Sequence, residues 1–415
     1  MKTCIIKPNG NRQYCQALQE FKSIEPPIWQ LLLADYYKTD LIIDAEADDL
    51  FHNEIVEKVR DNNVKRVVIL ASGSHPSGFI QQRDEMIKLD VLFTGLDIKT
   101  ETYSSLPIDP CKYKVNWNLI DLNKYRCSNW HSFTNDLNST PYGVNYSSIS
   151  CPHRCNFCVI KKFYGDTYKE RPIEDVMRDF DELAKRGVVN VKMMDELFVS
   201  KSERVHKICD EIISRGYNFN IWAYARIDIM NDNLLKKMKQ AGINWLAYGI
   251  ESGNDTIRKE VLKGNFTKDK IKEVIRMTKD NDICIIGNFM FGFWEDNKDT
   301  MKETLDLAIE LNCEYVNFYC ITAFPETSYY DDLIKKGVEL PTSWNQYAQV
   351  SKEFKPLQTK YLSGKEVLTF RDSAFQHYFR NSNYLNLIEN KFGEKILHHL
   401  DRMLHQKIGR LFIND

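Results

Sequence analysis

The sequence predicts an α/β protein: six consecutive strand–helix units form its core, a short Rossmann-like α/β unit precedes them, and a helical extension follows. Three observations lead there. Between positions 140 and 325, six short apolar runs alternate with amphipathic stretches. The runs are apolar almost throughout, as parallel strands covered on both faces are. The stretches between them repeat apolar residues at helical spacing and stop at Gly or Asn.

Taken in order, residues 1–100 carry four strand-like runs, "TCIIKP", "DLIIDAEA", "RVVILASGS" and "DVLFTG", separated by helical patterns at 27–37, 50–62 and 77–88. These make a thin Rossmann-like domain. A stretch rich in Pro and Trp, 101–139, is expected to link it to the core at 140–330. The core strands are "GVNYSSIS" (143–150), "NVKMMDE" (190–196), "FNIWAYARID" (219–228), "NWLAYGIES" (244–252), "CIIGNFMFG" (284–292) and "EYVNFYCITAF" (314–324). Among the helices, "IEDVMRDFDELAKRG" places Ile173, Val176, Met177, Phe180 and Leu183 on one face and stops at Gly187. The strand–helix alternation argues for a parallel sheet covered by helices, right-handed in its crossovers; periodicity alone does not decide between an incomplete barrel and an open sheet. In both, function gathers at the C-terminal ends of the strands. Residues 331–415 end in amphipathic helices, "KEVLTFRDSAFQHYFRN" and "EKILHHLDRMLHQKIGRLF".

Composition removes several function classes. The 56 Lys and Arg nearly balance 58 Asp and Glu, so no excess charge recommends nucleic acid or an anionic membrane as partner. No apolar run approaches the ~18 residues of a membrane span, and "MKTCIIKPNGN" is too short in apolar residues for a secretory signal. A cytoplasmic location is expected, with the 11 cysteines mostly reduced. Eight of them are scattered, several in strand-like runs where a buried inert thiol is the ordinary reading.

The other three sit together in "SCPHRCNFCVI" (150–160): Cys151, Cys155 and Cys158, spaced C-x3-C-x2-C directly after the first core strand. Structural zinc takes four ligands, usually from paired knuckles, and no second knuckle follows. His153 offers a strained fourth ligand. Thiolates at such spacings also hold iron–sulfur clusters, where three Cys on a four-iron cluster leave one iron open.

That motif, with Phe157 before its last Cys, resembles the radical S-adenosylmethionine (SAM) superfamily over about 140–325. The resemblance implies a partial (βα)6 barrel, a [4Fe-4S] cluster on Cys151, Cys155 and Cys158, and reductive cleavage of SAM chelated by the open iron. It also implies a small-molecule substrate and a reducing protein or flavodoxin-type electron donor. Phe157 joins the cofactor-binding residues. Asp195 or Glu196, in "MMDELF", takes the place of the acid in the family's Gly-Gly-Glu motif toward the SAM amino group; an acid favoured by a helix N-terminus is the structural alternative. Arg226 suits a carboxylate, or a structural ion pair. Glu251 and Ser252 suit a ribose diol. Asn288, Met290 and Gly292 match the stretch near adenine, Gly292 by close backbone approach or by a tight turn.

The domain in front resembles the cobalamin-binding subclass, with "ILASGSHPSGF" at a strand end where the corrin rests: Ser74, His75 and Ser77 are the candidate contacts. The Asp-x-His-x-x-Gly motif that supplies an axial His is absent, and the domain is shorter than the subclass pattern. The implied activity is cobalamin-dependent methylation of carbon. The alternatives are cobalamin-independent radical epimerisation, oxidation or rearrangement of a sugar or other metabolite behind a vestigial N-terminal domain, and a structural zinc module in a binding protein.

Overall fold

The structure, a computed structural model, describes residues 1–10, 16–72 and 76–412, with side chains at all of these except 16, 17 and 76–81. Thr3–Lys7, buried along its whole length, forms β1. It pairs in parallel with β2 (Ile42–Asp44) and β3 (Arg66–Leu70), and β3 with β4 (Lys99–Tyr103), in the order β2-β1-β3-β4. Helices α1 (Ile28–Tyr37), α2 (His52–Asp61) and α3 (Pro76–Thr94) connect them.

One expected strand is a helix instead. "DVLFTG" (90–95) belongs to the last turns of α3, and the fourth strand is the polar run Lys99–Tyr103. The reason lies in the spacing: Met86, Leu89 and Phe93 are buried three and four residues apart, while Val91 and Leu92 face solvent. A period of two would have buried Val91 with Phe93.

The larger sheet begins with β5 (Tyr142–Asn145). A two-residue ribbon of β6 (Ser148–Ile149) and β7 (Lys169–Glu170) follows, antiparallel, around α4 (Ile160–Tyr164). Then come α5 (Ile173–Lys185), β8 (Asn190–Met193), α6 (Ser202–Ser214), β9 (Asn220–Ala225), α7 (Asp232–Gln240) and β10 (Ile243–Glu251). The short α8 (Asp255–Glu260), α9 (Lys268–Asp280), β11 (Cys284–Phe291), α10 (Lys298–Leu311) and β12 (Tyr315–Cys320) complete it. The order is β12-β11-β10-β9-β8-β5, parallel throughout. The end strands β5 and β12 do not pair with each other, so the barrel is incomplete. Local sequence explains the packing: α5 buries Val176, Met177, Phe180 and Leu183, and the missing Cβ at Gly143 lets Leu183 and Val188 reach β5, where an added carbon would sit 2.9 Å from each.

Residues 104–139 run as short 3-10 turns that bind both sheets. Tyr125 Oη donates to Asp44 (3.2 Å), Trp117 Nε1 to Asp179 (3.3 Å), and His131 Nε2 pairs with the Asn220 carbonyl (2.9 Å). At the other end α11 (Ser328–Lys335), α12 (Gly364–Phe379), α13 (Ser382–Phe392) and α14 (Glu394–Leu404) follow. α12 docks on β12, with Tyr378 Oη on the Cys313 carbonyl (2.7 Å) and Arg371 Nε on the Phe318 carbonyl (2.7 Å). Among the described residues no helix is long and apolar enough to cross a membrane.

Candidate active site

The cysteine loop is held from below by one carboxylate. Asp195, fully buried just past β8, accepts hydrogen bonds from the Ser147 backbone (2.8 Å), the Ser147 hydroxyl (2.6 Å) and the Ser148 hydroxyl (2.6 Å). Ser150 then turns the chain with φ +64°, its hydroxyl donating to the Gly165 carbonyl (2.7 Å). This delivers Cys151, Cys155 and Cys158 into a cavity of about 300 Å³ at the C-terminal strand ends of the large sheet. Desolvation there pushes the Cys158 thiol up to about 12 and raises that of Cys151. Among the described residues no three His, Cys, Asp or Glu groups lie close enough to hold a single metal ion. The three thiols share a cavity wall instead of converging on one point, and a cubane spaces its thiolates more widely than one ion does.

The two neighbouring acids part ways. Asp195 is consumed by the serines and does not face the cavity, so it is not an open ligand for a bound molecule. Glu196 lines the cavity, has no hydrogen-bond partner among the described residues, and burial pushes its carboxyl up to about 7. Glu251 also lines it: a register shift in β10 between Gly249 and Glu251, a bulge, aims this side chain inward. Its Oε1 pairs with Lys263 Nζ (2.7 Å), while Oε2 is buried without a partner. Arg226 faces the cavity but its fork is already engaged, Nε and Nη2 on Asp228 (2.9 and 2.8 Å) and Nη2 also on the Lys263 carbonyl (2.5 Å). That ion pair stands beside the thiols, and Nη1 has no partner among the described residues.

Phe157, Asn288 and Met290 line the cavity too. Phe157 packs edge-on against Phe293 (6.1 Å), and Asn288 bridges the Tyr248 carbonyl and Asn317 (3.3 and 2.9 Å). Two expected residues stand outside the cavity wall. Ser252 is buried against Thr304 (3.2 Å) and accepts from the Asn254 backbone (3.1 Å), an internal loop brace. Gly292 makes its close approach to Val367 of α12, where a Cβ would sit 2.5 Å from Cγ1, and its φ of +87° serves a turn. Ser74 and His75 lie outside the described residues, as does the side chain of Ser77. Sequence reasoning passed over Lys263 and Gln349. Lys263 arrives from the turn after α8. Gln349, beyond the last strand, clasps both backbone groups of Cys320 (3.1 and 2.6 Å). Neither carries a local signal.

At the facing ends of the small sheet a buried charge network joins the two halves. Lys7 pairs with Asp44 (3.4 Å) and Glu46 (3.0 Å), Lys22 with Glu46 (2.7 Å), and Glu25 with Lys192 of β8 (2.9 Å). Beside it Gln30 donates to the Leu70 carbonyl and the Ser72 hydroxyl (3.0 and 2.6 Å), Gln82 accepts from the Ser72 backbone (2.8 Å), and Gln30 Oε1 is buried without a partner.

Residues 146–308 match the family model for the radical SAM superfamily. The chain carries a radical SAM domain. A Pyrococcus horikoshii protein named as an uncharacterized methyltransferase is 23% identical over 261 residues, 61% of this chain and 54% of that protein. This chain thus spans about half of that relative's length. The bacteriochlorophyllide d C-12(1)-methyltransferase of Chlorobaculum tepidum is 23% identical over 361 residues, 79% of this chain and 75% of the relative. In three dimensions the chain resembles the radical SAM methyltransferase TsrM of Kitasatospora setae with cobalamin and a [4Fe-4S] cluster bound, with a TM-score of 0.62 at 12% identity over 88% of this chain and 84% of that one. It also resembles the cobalamin-dependent radical SAM enzyme OxsB, with a TM-score of 0.64 at 11% identity over 96% and 71%. At these identities the likeness is one of fold, and it includes the small sheet as well as the radical SAM domain. That domain's family uses a [4Fe-4S] cluster and SAM, and the donor set fits both: the three clustered thiols share one cavity with the Glu196 carboxylate and the unpartnered Oε2 of Glu251, while the fourth cysteine of the wall, Cys320, is buried on β12 with its backbone held by Gln349.

Proposed function

We propose that this protein is a cobalamin-dependent radical SAM enzyme that methylates carbon on a small-molecule substrate, with its electron from a reducing protein or flavodoxin-type donor. The observation that carries the reading is the shared cavity, in which the three thiols meet Glu196 and the unpartnered Oε2 of Glu251, set in a fold common to two cobalamin-dependent enzymes. When bound, the cluster supplies one electron and an iron free of protein ligands, and the cobalamin a transferable methyl group. Glu196 accepts from the ammonium of SAM, and Glu251 Oε2 accepts a ribose hydroxyl. Lys263 fixes the other oxygen of Glu251, and the apolar Met290 and Phe157 exclude water. At the small sheet the amide and hydroxyl groups of Gln30, Ser72 and Gln82 suit an amide-rimmed cofactor.

Anaerobic reconstitution with iron, sulfide and hydroxocobalamin tests the reading. The desalted protein is expected to be brown, to retain corrin absorbance, and to form 5′-deoxyadenosine from SAM and reductant; Cys155→Ala removes the colour and the product. Loss of all corrin on desalting would remove methyl transfer and leave the cobalamin-independent reading, which the closed ion network of Lys7, Asp44 and Glu46 favours. A colourless protein inert toward SAM would overturn both.

A further inference from the structure

A second chamber, of about 500 Å³, lies against the first. The two share Tyr224, Tyr319 and Gln349 as a common wall. Aromatic side chains form much of the second chamber: Trp130 packs edge-on against Trp222 (5.2 Å), and Phe375 faces them from α12. Its charges are unevenly matched. At one end Lys192 and Glu25 neutralise each other at 2.9 Å. At the other, Asp372 Oδ1 serves two guanidiniums, Arg371 at 2.6 Å and Arg410 at 3.5 Å. Arg371 commits Nε to the Phe318 carbonyl and Nη1 to Asp372, and its Nη2 has no partner among the described residues. The guanidinium stands beside the common wall, where its charge offsets part of the effect of burial on the Tyr319 phenol.

A fixed planar cation with one free N–H edge, next to a ring-lined space and short of carboxylate, is a receptor for an oxyanion. We propose that the second chamber binds a small ring-bearing anion, a carboxylate or a phosphate, with Arg371 as the residue that recognises the anion. The rings of Trp130, Trp222 and Phe375 take its apolar body. Held at Arg371, the molecule lies against the common wall of Tyr224 and Tyr319 and so next to the cysteine cavity. What happens to it there rests on the radical SAM reading; that it binds does not.

The test uses 2-naphthoate and 2-naphthyl phosphate as probes, titrated calorimetrically into the reconstituted full chain, with 2-naphthol as the uncharged control. Binding of one or both anions, at least tenfold tighter than the naphthol, is expected. Arg371→Met lowers that affinity about tenfold or more, the scale of a lost charge-assisted hydrogen bond. Arg371→Lys restores part of it. The anion whose affinity falls further on Arg371→Met is the group recognised. Trp222→Leu, on β9 rather than α12, weakens both probes and serves if Arg371→Met does not fold. Equal affinity for naphthol and the anions, or affinity unchanged by Arg371→Met and Trp222→Leu, overturns the proposal. SAM cleavage by the unmutated protein is followed in parallel. Arg371-dependent binding without cleavage upholds the anion site and fails the radical SAM reading, whereas cleavage with Arg371-indifferent binding fails the anion site alone.

Discussion

The adjacent acids Asp195 and Glu196 should behave oppositely when each is neutralised. In Asp195→Ala, three donors to the cysteine loop, held at 2.6–2.8 Å, lose one buried acceptor. Each charge-assisted bond contributes on the order of 1.5–3 kcal/mol, but three bonds sharing one carboxylate do not add in full. About 4 kcal/mol is a fair total, in line with removing one partner of a buried polar cluster. At roughly 1–2 °C per kcal/mol, scaled down from domains smaller than this chain, the transition should fall by about 4–8 °C. Because Ser147–Ser150 lead straight into Cys151, iron content after anaerobic reconstitution should fall with it. Asp195→Asn, which keeps one acceptor, should lose about half as much. Glu196→Gln breaks no protein hydrogen bond, so its melting temperature and iron content should match the parent while SAM affinity drops, read by calorimetry. If Asp195→Ala keeps its melting temperature within a degree and its full iron, or if Glu196→Gln loses the cluster, the division of roles is wrong.

Burial holds His131 down to about 3, with Nε2 paired to the Asn220 carbonyl and Nδ1 unpartnered. The unfolded chain binds that proton near 6.5 and the folded chain does not, so stability is present above pH 6.5 and lost as pH falls below it. At pH 5 the loss is about 2 kcal/mol, and urea titrations of His131→Gln should show a flatter pH dependence between 6.5 and 4. Gly292→Ala meets both a left-handed φ and Val367 at 2.5 Å. It should cost about 2 kcal/mol or more and loosen α12, seen as faster amide exchange there. Glu25→Ala and Lys192→Met should each cost about 3–5 kcal/mol, and the double variant much less than their sum, by denaturant melts.

The order of elements was legible because each large-sheet strand is a short apolar run and each helix keeps a clean face, as Val176, Met177, Phe180 and Leu183 do. The small sheet shows where that fails. "DVLFTG" is too short for its period to declare itself, and the true strand, "KTETY", lies at the sheet edge and carries polar residues. The cysteines were legible because their chemistry depends on local spacing. The acids were not separable: Asp195 and Glu196 are neighbours in sequence, and only the serines of another strand end decide which is consumed. Ser252 reads as a ribose contact from sequence because Thr304, its brace, is about fifty residues away on α10. Lys263 and Gln349 reach the cavity from irregular segments, where pattern is silent.

The clasp of Gln349 on Cys320 bears on the timing of assembly. Gln349 forms part of the only partition described between the two chambers, and Arg410 holds its carbonyl at 2.6 Å. A chain grown only through β12 already has all three cysteines, the six-stranded sheet and two of the three shared wall residues, Tyr224 and Tyr319. The third, Gln349, comes later in the sequence, so the wall between the chambers is completed only when the segment after β12 is in place.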